Sequence, residues 1–160
     1  MKVMIFKKIG IDFHGVIHRE PEFFKRFVEF AVAKGYEIYI VSGGPRQTII
    51  DFLAAHKIPY HHLWCIIDQP EINENTTFCA DGSFRVNDML WDKAKGEYCQ
   101  NEGINLHIDD SVVYGKYFTT PYCRFDADES VFICNGKCFT ANMEISELLE
   151  NLQIVTISEC

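Results

Sequence analysis

The fold class predicted for this sequence is an open, Rossmann-like α/β sheet of parallel strands flanked by helices, with a small hairpin or flap insertion. Three observations lead there: apolar runs that end in polar turns, helical periodicity between those runs, and a strand, helix, strand, helix order in the first third of the chain. Right-handed crossover helices are the favoured links between parallel neighbours. Ligands in such sheets bind beyond the carboxyl ends of the strands, so the residues that close each apolar run draw attention first.

Val3 to Asp12 is mostly apolar, interrupted by Lys7-Lys8, and reads as a buried strand delivering Asp12 to its carboxyl end. From Glu20 to Lys34, Phe23, Phe24, Phe27, Phe30 and Ala31 recur at helical spacing, with Pro21 suited to a first turn and Gly35 to a C-cap. These phenylalanines share one side of the helix and are read as core. Glu37 to Val41 is a short strand stopped by Ser42-Gly43-Gly44-Pro45, and Arg46 to His56 is a second helix through Ile49, Ile50 and Leu53. Leu63 to Ile67 is the next apolar run. Periodicity is then lost between Asp68 and Asp88, where Pro70, Asn73, Asn75, Asp81 and Gly82 mark an insertion around residues 68–90, with a hairpin expected at Asp81-Gly82.

Trp91 to Gly103 reads as a helix ended by its glycine, and Asn105 to Ile108 as a strand finishing in Asp109-Asp110-Ser111. Tyr122 to Phe125 is a further strand. Val131 to Thr140 is a hairpin centred on Asn135-Gly136, a favoured type I′ pair, and Ser146 to Leu152 a short final helix. Neither a repeat nor a Pro/Gly/Ser linker divides the chain, so residues 1–160 are expected to form one domain.

Asp and Glu number 23 against 15 Lys and Arg, a formal charge of -8, and the basic residues are scattered. That balance disfavours nucleic acid as a partner. No run approaches the length of a membrane span, and MKVMIFKKIGID is too short and too soon charged for a signal peptide; a soluble, cytoplasmic protein without a membrane partner is expected. Seven cysteines, an odd count, suit reduced thiols better than a disulfide framework. His61-His62, Cys65 and Cys79 lack paired zinc-ligand spacing. Cys134 and Cys138 bracket a turn where a disulfide is geometrically feasible, although an intracellular redox setting disfavours it.

Asp12, Ser42 and Asp109-Asp110 close three strands that one sheet edge brings together, with Lys93 and Lys95 early in the helix preceding the last of them. Carboxylates are hard ligands suited to Mg²⁺, a hydroxyl and a lysine can hold phosphate oxygens, and a remaining carboxylate can attack phosphorus once cations offset the repulsion.

In the residues IGIDFHGVI, YIVSGG, a lysine before the third element, and LHIDDS, taken in that order, the chain resembles the haloacid dehalogenase (HAD) superfamily of phosphohydrolases from Lys8 to Ser111. The resemblance implies a Mg²⁺-dependent phosphatase working through a phosphoaspartate on Asp12. It assigns Gly15 to the turn, Ser42 and Gly43 to the phosphoryl group, Lys95 in preference to Lys93 to phosphate, and Asp12, Asp110 and the adjacent Asp109 to the metal. Arg46 follows the glycine turn closely enough to join the phosphate contacts, an exposed helix-start arginine being the alternative. Position 14 departs from the family's Asp-x-Asp-Gly motif. The second aspartate there acts as general acid and base while its backbone carbonyl binds Mg²⁺; His14 keeps the carbonyl, and imidazole can itself move protons.

Two functions stay open from this substitution. One is a working phosphatase, with phenolic leaving groups such as phosphotyrosine favoured because they depart with less acid help, or a nucleotidase. The other is a catalytically impaired module that binds phosphate or Mg²⁺ and serves interaction. A dehalogenase, acting on carbon, suits Ser42, Lys95 and the acidic pair less well. About one helix and one strand fit between Asp12 and Ser42, leaving no room for a large cap. Capless family members often act on macromolecules, so the phosphorylated substrate is expected to be a phosphoprotein or a small phosphometabolite. His18, Arg19 and Glu20, just beyond the first loop, are read as solvated.

Overall fold

The chain builds a seven-stranded sheet with helices on both faces. The computed structural model describes residues 6–81, 83–85 and 88–157, so residues 3–5 of the first apolar run lie outside the described residues. β1 (Lys8–Ile11) is apolar after its lysine because both of its faces are covered. α1 (Pro21–Ala33) has proline in its first turn, buries Phe23, Phe24, Phe27, Val28 and Ala31, and gives way to Gly35 at φ 92°. β2 (Glu37–Ser42) and α2 (Arg46–Ala55) follow at the expected places.

β3 (His62–Cys65) stops two residues short of the apolar run. Ile66–Asp68 instead wind into a 3₁₀ turn, because the Ile67 N–H leaves the ladder and donates to the Gly43 carbonyl at 3.1 Å. The insertion opens with α3 (Pro70–Glu74), five residues long and therefore below the reach of periodicity, pinned by buried Ile72. β4 (Thr77–Phe78) and β5 (Phe84–Arg85) then pair antiparallel, Thr77 against Arg85 and Phe78 against Phe84. These two strands flank the expected turn at Asp81-Gly82, of which Gly82 lies outside the described residues.

α4 (Asp88–Glu102) begins three residues ahead of Trp91 and is succeeded by β6 (Leu106–Asp109), a 3₁₀ turn at Tyr114–Tyr117 and β7 (Tyr122–Asp126). β8 (Val131–Cys134) and β9 (Lys137–Thr140) form the final hairpin, with Asn135 at φ 51° and Gly136 at φ 76° as a type I′ turn requires. α5 (Ile145–Ile157) outruns the expected Ser146–Leu152 because Val155 and Thr156 continue its buried stripe. Strand order is β3-β2-β1-β6-β7-β8-β9, parallel through β7 and antiparallel beyond it.

Alternation along β2 shows the two faces. Ile38 and Ile40 enter a large core with Phe24, Phe27, Leu53 and Leu152 from α1, α2 and α5. Tyr39 and Val41 enter a smaller one with Cys99 of α4, Ile104 and the flanking Trp64, Tyr98 and Phe118. No disulfide forms among the described cysteines. Cys134 is buried opposite Cys123, whereas Cys138 is exposed opposite Ile133, so the Cys134–Cys138 bridge is ruled out by the two side chains taking opposite faces. Among the described residues no helix is long and apolar enough to cross a membrane.

Candidate active site

The chain runs outward from β1 to β2 and β3, then returns to β6 on the other side of β1. Loops leaving β1 and β6 therefore diverge, and the crevice between them is where an open α/β sheet binds ligands. Asp12 follows β1 directly, its backbone N–H donating to the Ile108 carbonyl at 2.9 Å, and Asp109 ends β6. Ser42 ends β2.

Lys95, on the sheet-facing side of α4 and only 3% exposed, donates from Nζ to Asp12 Oδ1 at 2.8 Å and to Asp109 Oδ2 at 2.9 Å. Its ammonium also lies 4.8 Å from the Tyr114 ring centroid. Asp109 is the better stabilised acid. His107 Nε2 donates to its Oδ2 at 2.9 Å and the Ser111 N–H to its Oδ1 at 3.2 Å. Against the opposing effect of burial, Lys95 and the His107 hydrogen bond hold the Asp109 carboxyl well below the usual range. Burial raises Asp12, outweighing the attraction of Lys95, and the Asp109 charge adds to the rise. Asp110 is raised by partial burial and by Asp109. Lys95 is held charged by Asp12 and Asp109 despite its burial.

Asp12, Asp109 and Asp110 each offer a carboxylate oxygen within 4.8 Å of the others, and these are the residues that could hold a cation. Gly15, at φ 79°, leaves room for Asp110; a Cβ there would come 2.1 Å from Asp110 Oδ2, so any other residue is strained and would push that carboxylate aside. The surrounding cavity, about 580 Å³, is lined by Asp12, His14, Gly43, Gly44, Lys95 and Asp110, together with Trp91, Val112 and Tyr114. His14 reaches the loop after β2, its Nε2 lying 2.8 Å from the Gly44 carbonyl. A carbonyl only accepts, so Nε2 carries the hydrogen and Nδ1 is the atom that can exchange a proton.

Asp12, His14, Gly43, Lys95, Asp109 and Asp110 are thus brought together. Ser42 is fully buried below the turn, its Oγ accepting from the Gly44 N–H at 3.3 Å. Arg46 is not brought in: its Nε donates to Asp68 Oδ2 at 2.7 Å and its terminal nitrogen to the Leu63 carbonyl at 2.9 Å, which ties α2 to β3. Lys93 points elsewhere on α4, 3.6 Å from Glu97. Among the described residues His61 and His62 join no metal-type cluster, His61 Nδ1 accepting from the Ile38 N–H and His62 Nε2 pairing with Glu37.

His107 escaped the sequence reading. It is fully buried, and its neutral ring has an Nδ1 with no hydrogen-bond partner among the described residues. Register places it beside Gly10, where a Cβ would come 2.7 Å from that nitrogen. A histidine inside the apolar run LHID was the available signal. Fold and site together define an α/β protein with a lysine clamped between carboxylates at the sheet's switch point. Compared with family models, curated proteins and solved structures, the chain finds no match.

Proposed function

We propose that the chain is a HAD-like, Mg²⁺-dependent phosphohydrolase that transfers the phosphoryl group of a phosphomonoester to Asp12 and then to water. The observation that carries this reading is the Lys95 ammonium bridging Asp12 Oδ1 and Asp109 Oδ2 at the floor of an open pocket. Lys95 occupies one oxygen of Asp12 and leaves Oδ2 for attack. That oxygen bonds to phosphorus as the ester P–O bond breaks, and the departing oxygen takes a proton. Water then attacks the phosphoaspartate, regenerating the Asp12 carboxylate and releasing inorganic phosphate. His14 Nδ1 is the proton-exchanging atom the pocket offers for both steps.

The donor set suits a hard divalent cation. Three clustered carboxylates share one ammonium, and the pKa values of Asp12 and Asp110 are both raised by burial and by the neighbouring Asp109 charge. Asp12, Asp110 and the His14 backbone carbonyl would hold it, with Asp109 as an outer anchor, and it would supply positive charge against the phosphoryl oxygens and the attacking carboxylate. The 68–90 insertion supports a small flap at most, which leaves room for a phosphoprotein or a small phosphometabolite.

A panel of phosphomonoesters and phosphopeptides, assayed with Mg²⁺ and with chelator, tests the reading. Turnover should need the metal and vanish in Asp12→Asn, while His14→Ala should slow alkyl phosphates more than phenolic ones. No turnover anywhere by folded protein with Mg²⁺ would sink it. The surviving reading would be a phosphate- or Mg²⁺-binding module, for which the hydrogen bond that occupies His14 Nε2 speaks.

A further inference from the structure

We infer that the pocket selects phosphomonoesters whose leaving group is uncharged and flat or apolar, with Trp91 and Val112 as the specificity-determining side chains. The inference rests on the phosphohydrolase reading and narrows its substrate class.

Trp91 is braced before any substrate arrives. Its Nε1 donates to the Tyr114 hydroxyl at 2.9 Å, and a Cβ on Gly43 would come 2.6 Å from its Cζ2, so the indole edge lies against the turn that follows β2. A ring fixed in this way binds a flat group without first losing rotamer freedom. Val112 is 66% exposed on the loop after β6 and lines the same cavity. At about 580 Å³ the cavity has room for a ring beyond the phosphoryl group.

Charge points the same way. Among the described residues lining the cavity, Lys95 is the sole lysine or arginine, and its ammonium is committed to Asp12 and Asp109. The adjoining cleft, which shares Gly15 and Asp110, holds Arg19 and Arg124. Arg19 pairs with Asp128, however, and Arg124 lies 3.7 Å from Asp126, so with Asp110 that cleft sets three carboxylates against two guanidiniums. A second anionic group on the substrate gains little there.

Phosphonates, whose P–C bond is not hydrolysed, separate recognition from leaving-group chemistry. In calorimetric titrations with Mg²⁺, phenylphosphonate should bind roughly ten-fold tighter than methylphosphonate. Trp91→Ala should bring the two within about two-fold, and Val112→Ser, on an exposed loop that cannot unfold the protein, should remove part of the difference. In turnover, 2-phenylethyl phosphate should surpass ethyl phosphate through KM and not kcat, since their alkoxides are similarly basic. Equal affinity of the wild type for both phosphonates overturns this inference and leaves the hydrolase reading standing wherever monoesters are turned over. Tighter binding of phosphonoacetate than of phenylphosphonate overturns it in favour of the Arg19/Arg124 cleft. Binding of no phosphonate together with no turnover overturns both readings.

Discussion

His107 lies in a strand whose two faces are both covered, so its imidazole has to be neutral or matched. Burial lowers its pKa below the ordinary 6.5, only partly offset by the bond to Asp109. The unfolded chain takes up a proton near 6.5 that the native ring refuses, so native stability falls as pH drops below that value, by up to about 1.4 kcal/mol per pH unit from this group. Gln at 107 keeps an N–H for Asp109 but does not titrate. In urea denaturation with chelator at pH 7.5 and 5.5, the wild type should lose more stability than His107→Gln on acidification. Equal losses would show that the native ring accepts the proton. The apolar run LHID singles out this histidine but not its role, because a lone histidine among apolar residues looks the same whether it packs passively or anchors a carboxylate.

At the scale of elements, α4 is the informative helix. Its buried positions are Lys95, Gly96 and Cys99, so its inward face carries an ammonium and a glycine in place of an apolar stripe. Gly96 is needed for close approach, since a Cβ there would come 2.4 Å from the Tyr117 carbonyl. Weak amphipathicity hid the helix start from the sequence, and the same spacing left Lys93 and Lys95 hard to separate. Lys95→Met would leave Asp12 and Asp109 buried without their shared cation and should destabilise the fold by about 3–5 kcal/mol. Lys93→Met, at the surface, should change stability by less than about 0.5 kcal/mol. Chemical denaturation of the two variants decides between the lysines, and similar small effects would remove Lys95 from the centre of the site.

For the whole molecule, the return of the chain to β6 beside β1 gathers the acids, so that a cation bound among them would be coupled to folding. A cation that binds only the folded site should stabilise it by about 2.7 kcal/mol at a hundred times its dissociation constant. Thermal melts in Mg²⁺ against chelator should therefore show a higher midpoint, with the gain reduced in Asp110→Asn. Identical melts with and without Mg²⁺ would argue against a cation at these carboxylates.

Strand and helix order, the turn chemistry of Asn135-Gly136 and the acidic strand ends were legible in the sequence, because periodicity and turn preference are local properties of neighbouring residues. The short helix Pro70–Glu74 and the early end of β3 were not, since one lacks a full period and the other depends on a hydrogen bond to a different loop. The sequence by itself determined that Asp12, Ser42 and Asp109-Asp110 would close strands on one edge. Only the tertiary structure decided which neighbours meet: Lys95 across 83 residues to Asp12, His14 to Gly44, and Arg46 away to Asp68. The first is made by strand order and the pairing of buried charge, the other two by loops that the fold brings side by side, and none is written in the spacing of nearby residues.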